Sequence, residues 1–113
     1  MDQDRRQTGR QVISERLFVH VDGKVFSTHS VDMSREGLCI NARMPLEPHT
    51  TVELIIGWPG QQRKYYLQGD IRWCRDEEGQ HRMGVEIDVK ATEDGADWQA
   101  LFAELMSDAA NDQ

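Results

Sequence analysis

The chain is poor in the residues that usually announce chemistry. Its 113 residues include two cysteines, Cys39 and Cys74, and neither sits in a CxxC or CxxH spacing. That excludes a disulfide framework and predicts two reduced core or near-core thiols in a cytosolic protein. Four histidines, His20, His29, His49 and His81, are scattered without an HxH or HExxH pattern, so no metal site and no cofactor is expected. Neither GxGxxG nor GxxxxGK[ST] occurs. Both cysteines fall inside apparent strands, away from the exposed, electropositive helix starts that activate a thiol. No catalytic residue is assigned, and no enzyme is expected. The N-terminal "MDQDRRQTGR" lacks the apolar stretch of a signal peptide. No apolar run approaches the ~18 residues of a membrane span. The expectation is a cytoplasmic protein with no membrane insertion.

Basic charge is also scarce. Thirteen Lys and Arg face twenty Asp and Glu, for a net charge of −7. DNA or RNA binding, which needs a basic surface to neutralise phosphates, is not expected. The imbalance is local, however. Residues 93–113 hold Glu93, Asp94, Asp97, Glu104, Asp108 and Asp112 and no base, and the rest is nearly neutral. A small anionic ligand is therefore compatible with the N-terminal part.

What is present is a strand pattern. "RLFVHV" (16–21) alternates with Leu17, Val19 and Val21 on one face. Asp22-Gly23 follows, then "KVFSTHSVD", which predicts a tight hairpin because both positions of a type I′ turn need positive φ. "LCINA" (38–42), "TVELIIG" (51–57), "KYYLQGDIRWC" (64–74) and "HRMGVEIDV" (81–89) read as four further strands. In the fifth, Tyr65, Leu67, Gly69, Ile71 and Trp73 share a face, and mid-strand Gly69 suggests a bulge or barrel corner. The period then changes. Trp98, Leu101, Phe102, Leu105 and Met106 form one helical stripe, over about Asp94 to Asp108, with Thr92 or Asp94 as its cap. The predicted class is all-β: a small six-stranded antiparallel barrel with a C-terminal helix. Residues 1–15 read as a flexible arginine-rich arm, 16–108 as one barrel-plus-helix domain, and 109–113 as a frayed tail.

Two short segments stand out against this scaffold. "RRQTGR" (5–10) puts three arginines, Arg5, Arg6 and Arg10, in the arm, and "DMSREG" (32–37) places Asp32, Ser34 and Gly37 between two strands. Either has a plain reading, as a solvated tail or a capped turn. Together they describe a clamp. An arginine fork pairs bidentately with phosphate or with guanine O6 and N7. An aspartate, acceptor-only, suits the donors on the other guanine edge. Ser34 adds a short donor and acceptor, and Gly37 permits positive φ or close backbone approach.

Arg6-x-x-x-Arg10 followed by Asp32-x-Ser34-x-x-Gly37 resembles the signature of the PilZ domain, a bacterial receptor for cyclic di-GMP. "IRWCRDEEGQHRMGVEI" is similar to the late hairpin of that family, and the likeness extends from about Arg5 to Met106. The resemblance implies that Arg6 and Arg10 hold guanines and phosphates, that Asp32 and Ser34 hydrogen-bond a guanine or its phosphate neighbourhood, and that Gly37 lets the loop close on the ligand. An Arg at position 5 implies a pair of intercalated ligand molecules. Trp73 is placed to stack on a base, or to serve as a barrel aromatic. Arg35 and Arg75 are rim candidates. A role in motility, biofilm or exopolysaccharide control through an unidentified protein partner follows by the same resemblance. The alternative is a PilZ-like adaptor that binds protein and no nucleotide.

Overall fold

The structure is a computed structural model. It describes residues 12–58 and 60–111, with side chains to residue 104. Six strands are present: β1 Arg16–Val21, β2 Lys24–Met33, β3 Gly37–Ala42, β4 Thr51–Gly57, β5 Lys64–Glu77 and β6 Gln80–Ile87. One helix follows, α1 Asp94–Asn111. All strand pairs are antiparallel, and the order β1-β2-β3-β6-β5-β4 closes on itself through β4 and β1. The expected six-stranded barrel with a C-terminal helix is what forms. β1 and β4 coincide with their expected spans. β5 runs three residues further than expected, and α1 runs on to Asn111.

Alternation builds the core. Leu17, Val19 and Val21 of β1, Leu38, Ile40 and Ala42 of β3, Val52, Leu54 and Ile56 of β4, and Met83, Val85 and Ile87 of β6 are all buried. Each of these four strands thus sends every second side chain into the barrel interior. The Asp22-Gly23 hairpin has both residues at positive φ, 52° and 74°. Of the six residues left between the expected fifth and sixth strands, 75–80, only Glu78 and Gly79 turn, at φ 52° and 84°, which makes a second tight hairpin.

The helix closes the barrel with aromatics. Trp98 and Phe102 are fully buried, and Leu101 is half-buried. The Trp98 ring meets Trp58 at 5.8 Å and Tyr65 at 5.5 Å, and Trp58 meets Phe102 at 5.0 Å, all close to edge-on. Such geometry suits the ring quadrupoles. Leu105 and Met106, the rest of the predicted stripe, lie outside the described side chains.

Neither expected cap acts through its side chain. The Thr92 carbonyl accepts the Gly95 amide, while its hydroxyl is buried without a partner. The Asp94 carboxylate turns away to β5. It accepts the Tyr66 amide at 2.8 Å and an Arg63 N–H at 2.8 Å, and Asp97 takes Arg63 at 2.9 Å. The Tyr66 amide, with help from Arg63, holds the Asp94 carboxyl below its ordinary pKa against a smaller desolvation effect. Asp97 chiefly, with Asp94, keeps Arg63 more firmly protonated. Among the described residues no helix is long and apolar enough to cross a membrane.

Candidate functional site

Two bulges shape one outer wall of the barrel. In β2, Ser30 opposes Ile40 and Asp32 opposes Cys39, so Val31 is an extra residue. Without it Ser30 and Asp32 would share a face. With it, Ser30 turns inward and is buried, while Asp32 joins the outward row and stays half-buried. In β5, Ile71 opposes Val85 and Trp73 opposes Gly84, which makes Arg72 extra. This corrects the predicted inward face of β5: Ile71 is buried, but Trp73 faces out with 37% exposure, and Cys74 takes the inward phase against the core. The bulge lies at Arg72 rather than at Gly69. Bulges commonly re-aim side chains in this way.

Cross-strand partners then align four residues on the same outer face. Asp32 pairs with Cys39, Cys39 with Gly84, and Gly84 with Trp73. The indole lies flat across Gly84: a Cβ there would sit 2.3 Å from Trp73 Nε1 and 2.5 Å from Cε2. The Arg75 guanidinium stacks on the indole at 4.6 Å, a favourable cation–π arrangement. Trp73 is therefore a fixed platform. Of the alternative reading as a barrel aromatic, the core position does not hold and the rim position does.

The turn after Asp32 is braced from three sides. Ser34 and Gly37 exchange backbone bonds at 2.7 and 3.3 Å. The Ser34 hydroxyl accepts the Glu36 and Gly37 amides, each at 3.3 Å, and is itself buried. The Glu36 carbonyl accepts the Ile87 amide at 2.8 Å, which ties the turn to β6. Gly37 is not at positive φ, so of the two reasons for a glycine only close approach applies. The neighbour it approaches is β6: an added Cβ would lie 2.1 Å from the Val85 carbonyl oxygen. Arg35, one of the rim candidates, is exposed and pairs with adjacent Glu36 at 3.2 Å.

The sequence reading missed Ser30. Its amide donates to the Glu15 carbonyl at 3.0 Å, and its hydroxyl accepts the Glu15 amide at 2.9 Å and donates to the Ile13 carbonyl. Ile13 packs against the core. Residues 13–15 thus continue the line of β1 alongside β2, heading past Ser30 toward Asp32 and its turn. Arg5, Arg6 and Arg10 lie outside the described residues, so Asp32, Ser34, Gly37 and Trp73 are the expected site residues whose places are seen. The first three share one hairpin end, and Trp73 stands in the same outward row, two strands beyond β3. Among the described residues no group of His, Cys, Asp and Glu is arranged to hold a metal ion.

With this geometry in hand, the chain can be compared with known proteins. The family model described as PilZ domain matches residues 4–104. The structure of the Bacillus subtilis inhibitor of motility, MotI/DgrA, superposes with a TM-score of 0.71 at 16% identity, over 91% of this chain and 50% of that one. The chain thus spans half the length of that protein. The PilZ domain of CeSA from a cellulose synthesizing bacterium superposes with a TM-score of 0.57 at 16% identity, over 89% of this chain and 97% of that one. At these identities the likeness is one of fold. No curated protein matches the sequence.

Proposed function

Because the chain belongs to the PilZ domain family, we propose that it is a cytoplasmic, non-catalytic receptor for cyclic di-GMP that passes ligand occupancy to a protein partner. The observation that carries this reading is the direction of the chain at Ile13–Glu15, clamped to Ser30 and pointed toward Asp32. Chain connectivity alone keeps Arg10 within about 11 Å of Ile13. An RxxxR pair on the chain that leads into this segment, together with a braced Asp32-x-Ser34-x-x-Gly37 turn, supports the two-part clamp that guanine and phosphate require.

In this reading Arg6 and Arg10 engage guanine edges and phosphates, and Asp32 accepts from the guanine N1–H and N2 amino group. Ser34 presents its hydroxyl beside Asp32, and Gly37 keeps the turn seated on β6. Trp73 offers a face for base stacking, with Arg75 holding the indole. Arg5 supports a second, intercalated ligand molecule. Ordering the arm over the outer wall changes the surface offered to a partner in motility, biofilm or exopolysaccharide control.

Titration calorimetry tests this directly. Cyclic di-GMP binds the wild-type chain, and Arg10→Ala or Asp32→Ala weakens binding at least about tenfold, since a bidentate base contact contributes about 1–3 kcal/mol. Arg5→Ala lowers the ligand-to-protein ratio, and added salt weakens binding. Absence of heat at ligand excess contradicts the receptor reading and favours the adaptor that binds protein and no nucleotide.

A further inference from the structure

A second feature lies away from the dinucleotide wall. β2 is longer than the strand beside it. On one edge it pairs with β1 from Lys24 to His29, but on the other edge β3 meets it only at Ser30, Asp32 and Met33. The remainder of that edge, from Lys24 to His29, has no strand partner among the described residues.

The direction of its backbone groups follows from register. The Ser30 amide donates toward the Ile13–Glu15 segment, on the β1 side. Antiparallel ladders alternate every second residue, so Thr28, Phe26 and Lys24 also face β1. Val25, Ser27 and His29 then turn their N–H and C=O groups to the other edge, where His29 adjoins the β3 ladder and Val25 and Ser27 lie beyond it. Beside that edge lies a hollow of about 750 Å³ lined by Phe26, Ser27, Thr28 and His29 on one side and by Asn41 to Met44 on the other. Thr28 closes its upper end with a side-chain bond to the Asn41 carbonyl.

We propose that this open edge of β2 is a docking site for an extended segment of a partner protein, which adds as a strand and carries acidic side chains. Three observations choose that occupant. The outward-turned backbone groups of Val25 and Ser27, which have no strand partner among the described residues, recur two residues and about 6.7 Å apart, which is the spacing of another strand. The lining holds Arg43 and His29 and no Asp or Glu, with exposed Lys24 at the end of the same edge. In a molecule of net charge −7, a local patch without carboxylates favours an acidic ligand. A second copy of this chain is disfavoured by the same charges, because edge-to-edge pairing about a two-fold axis would set each cation patch against its duplicate. Exposed Val25 and Met44 and half-buried Phe26 give alternate apolar contacts.

The proposal stands on β2 itself and not on nucleotide binding. It still gives the receptor an output, since Ser14 belongs to the lining and its two chain neighbours are the residues held by Ser30. Any ligand that reorders the arm acts on a wall of this groove.

The test uses the isotope-labelled full chain and a blocked heptapeptide alternating valine with glutamate. The expected result is amide shifts at Val25, Ser27 and His29. Lysine in place of glutamate, or N-methylation of alternate peptide amides, should weaken binding about fivefold, the equivalent of ~1 kcal/mol. Ser27→Pro removes an edge amide but no β1 ladder bond, so it should abolish peptide binding and leave cyclic di-GMP binding intact. Arg43→Glu, which leaves the backbone untouched, should reverse the preference toward the lysine peptide. Unmoved amides at millimolar peptide, or equal binding of the N-methylated peptide, overturn the proposal. A wild-type dimer that Ser27→Pro converts to monomer also overturns it, because the occupant is then a second copy. Loss of dinucleotide binding in the wild-type chain would instead count against the receptor reading alone.

Discussion

Among the described residues, the barrel makes three tight hairpin turns by two different physical means. At Asp22-Gly23 and Glu78-Gly79 both turning residues sit at positive φ, and nothing lies within 4 Å of the space a glycine Cβ would take. There the glycine answers a torsional demand and the surroundings are indifferent. At Arg35-Glu36, between Ser34 and Gly37, no residue has positive φ. That turn is held by the Ser34 hydroxyl, by a bond from Glu36 to β6, and by a glycine pressed against the Val85 carbonyl. The first two turns are local solutions that any solvent-facing hairpin can adopt. The third exists only because the sheet behind it is in place, and it is the one beside Asp32. In the proposed clamp, a half that is built before the ligand arrives would lose less freedom on binding.

This contrast can be broken by substitution. Gly37→Ala should be the most damaging change, on the order of 3 kcal/mol by chemical denaturation, the upper end of overpacking costs, because backbone on β6 must move. Ser34→Ala should cost about 1–2 kcal/mol, since the Glu36 and Gly37 amides lose a buried acceptor. Gly79→Ala should cost about 1 kcal/mol, the price of a left-handed conformation, and Gly79→Asn should recover part of it. Equal losses at Gly37 and Gly79 would erase the distinction between the turns.

The smallest effect is expected where a charged network rather than a turn joins α1 to β5. The Asp94 carboxyl titrates below its ordinary value of 3.8, chiefly through the Tyr66 amide. A depressed carboxylate stabilises the fold above its unfolded pKa and loses that contribution as pH falls through the lower folded value. The difference in melting temperature between wild type and Asp94→Asn should therefore be constant near neutrality and shrink below about pH 3.8. A difference that grows on acidification would contradict the assignment.

Much of the barrel was legible because alternation and Asp-Gly signals are local. β1 and β4 followed from alternating residues, and the first hairpin from two letters. Features that depend on partners distant in sequence were not. Nothing near Arg72 marks the bulge that turns Trp73 outward. Gly69 drew attention instead, yet its need is space, since a Cβ there would sit 2.6 Å from Val85 Cγ1. Glu78 at positive φ was hidden because it is not glycine. Trp58 drew no notice in the sequence, because the Trp98 and Phe102 rings that pack on it come from the distant helix. Asp94 read as a cap because the Tyr66 amide that claims it is 28 residues away. At the candidate site, Asp32, Ser34 and Gly37 were visible as a motif. The Ser30 clamp beneath them was not, because a serine in a strand carries no signal of the chain it will hold.

The most direct test of the central claim is an amide and indole shift map of the labelled chain titrated with cyclic di-GMP. The account predicts shifts at Asp32 through Gly37, at Glu15 and Ser30, and at the Trp73 indole, with Asp22-Gly23, Glu78-Gly79 and the buried Trp98 indole unmoved. Saturating ligand that leaves the Asp32–Gly37 turn and Trp73 unshifted would contradict it.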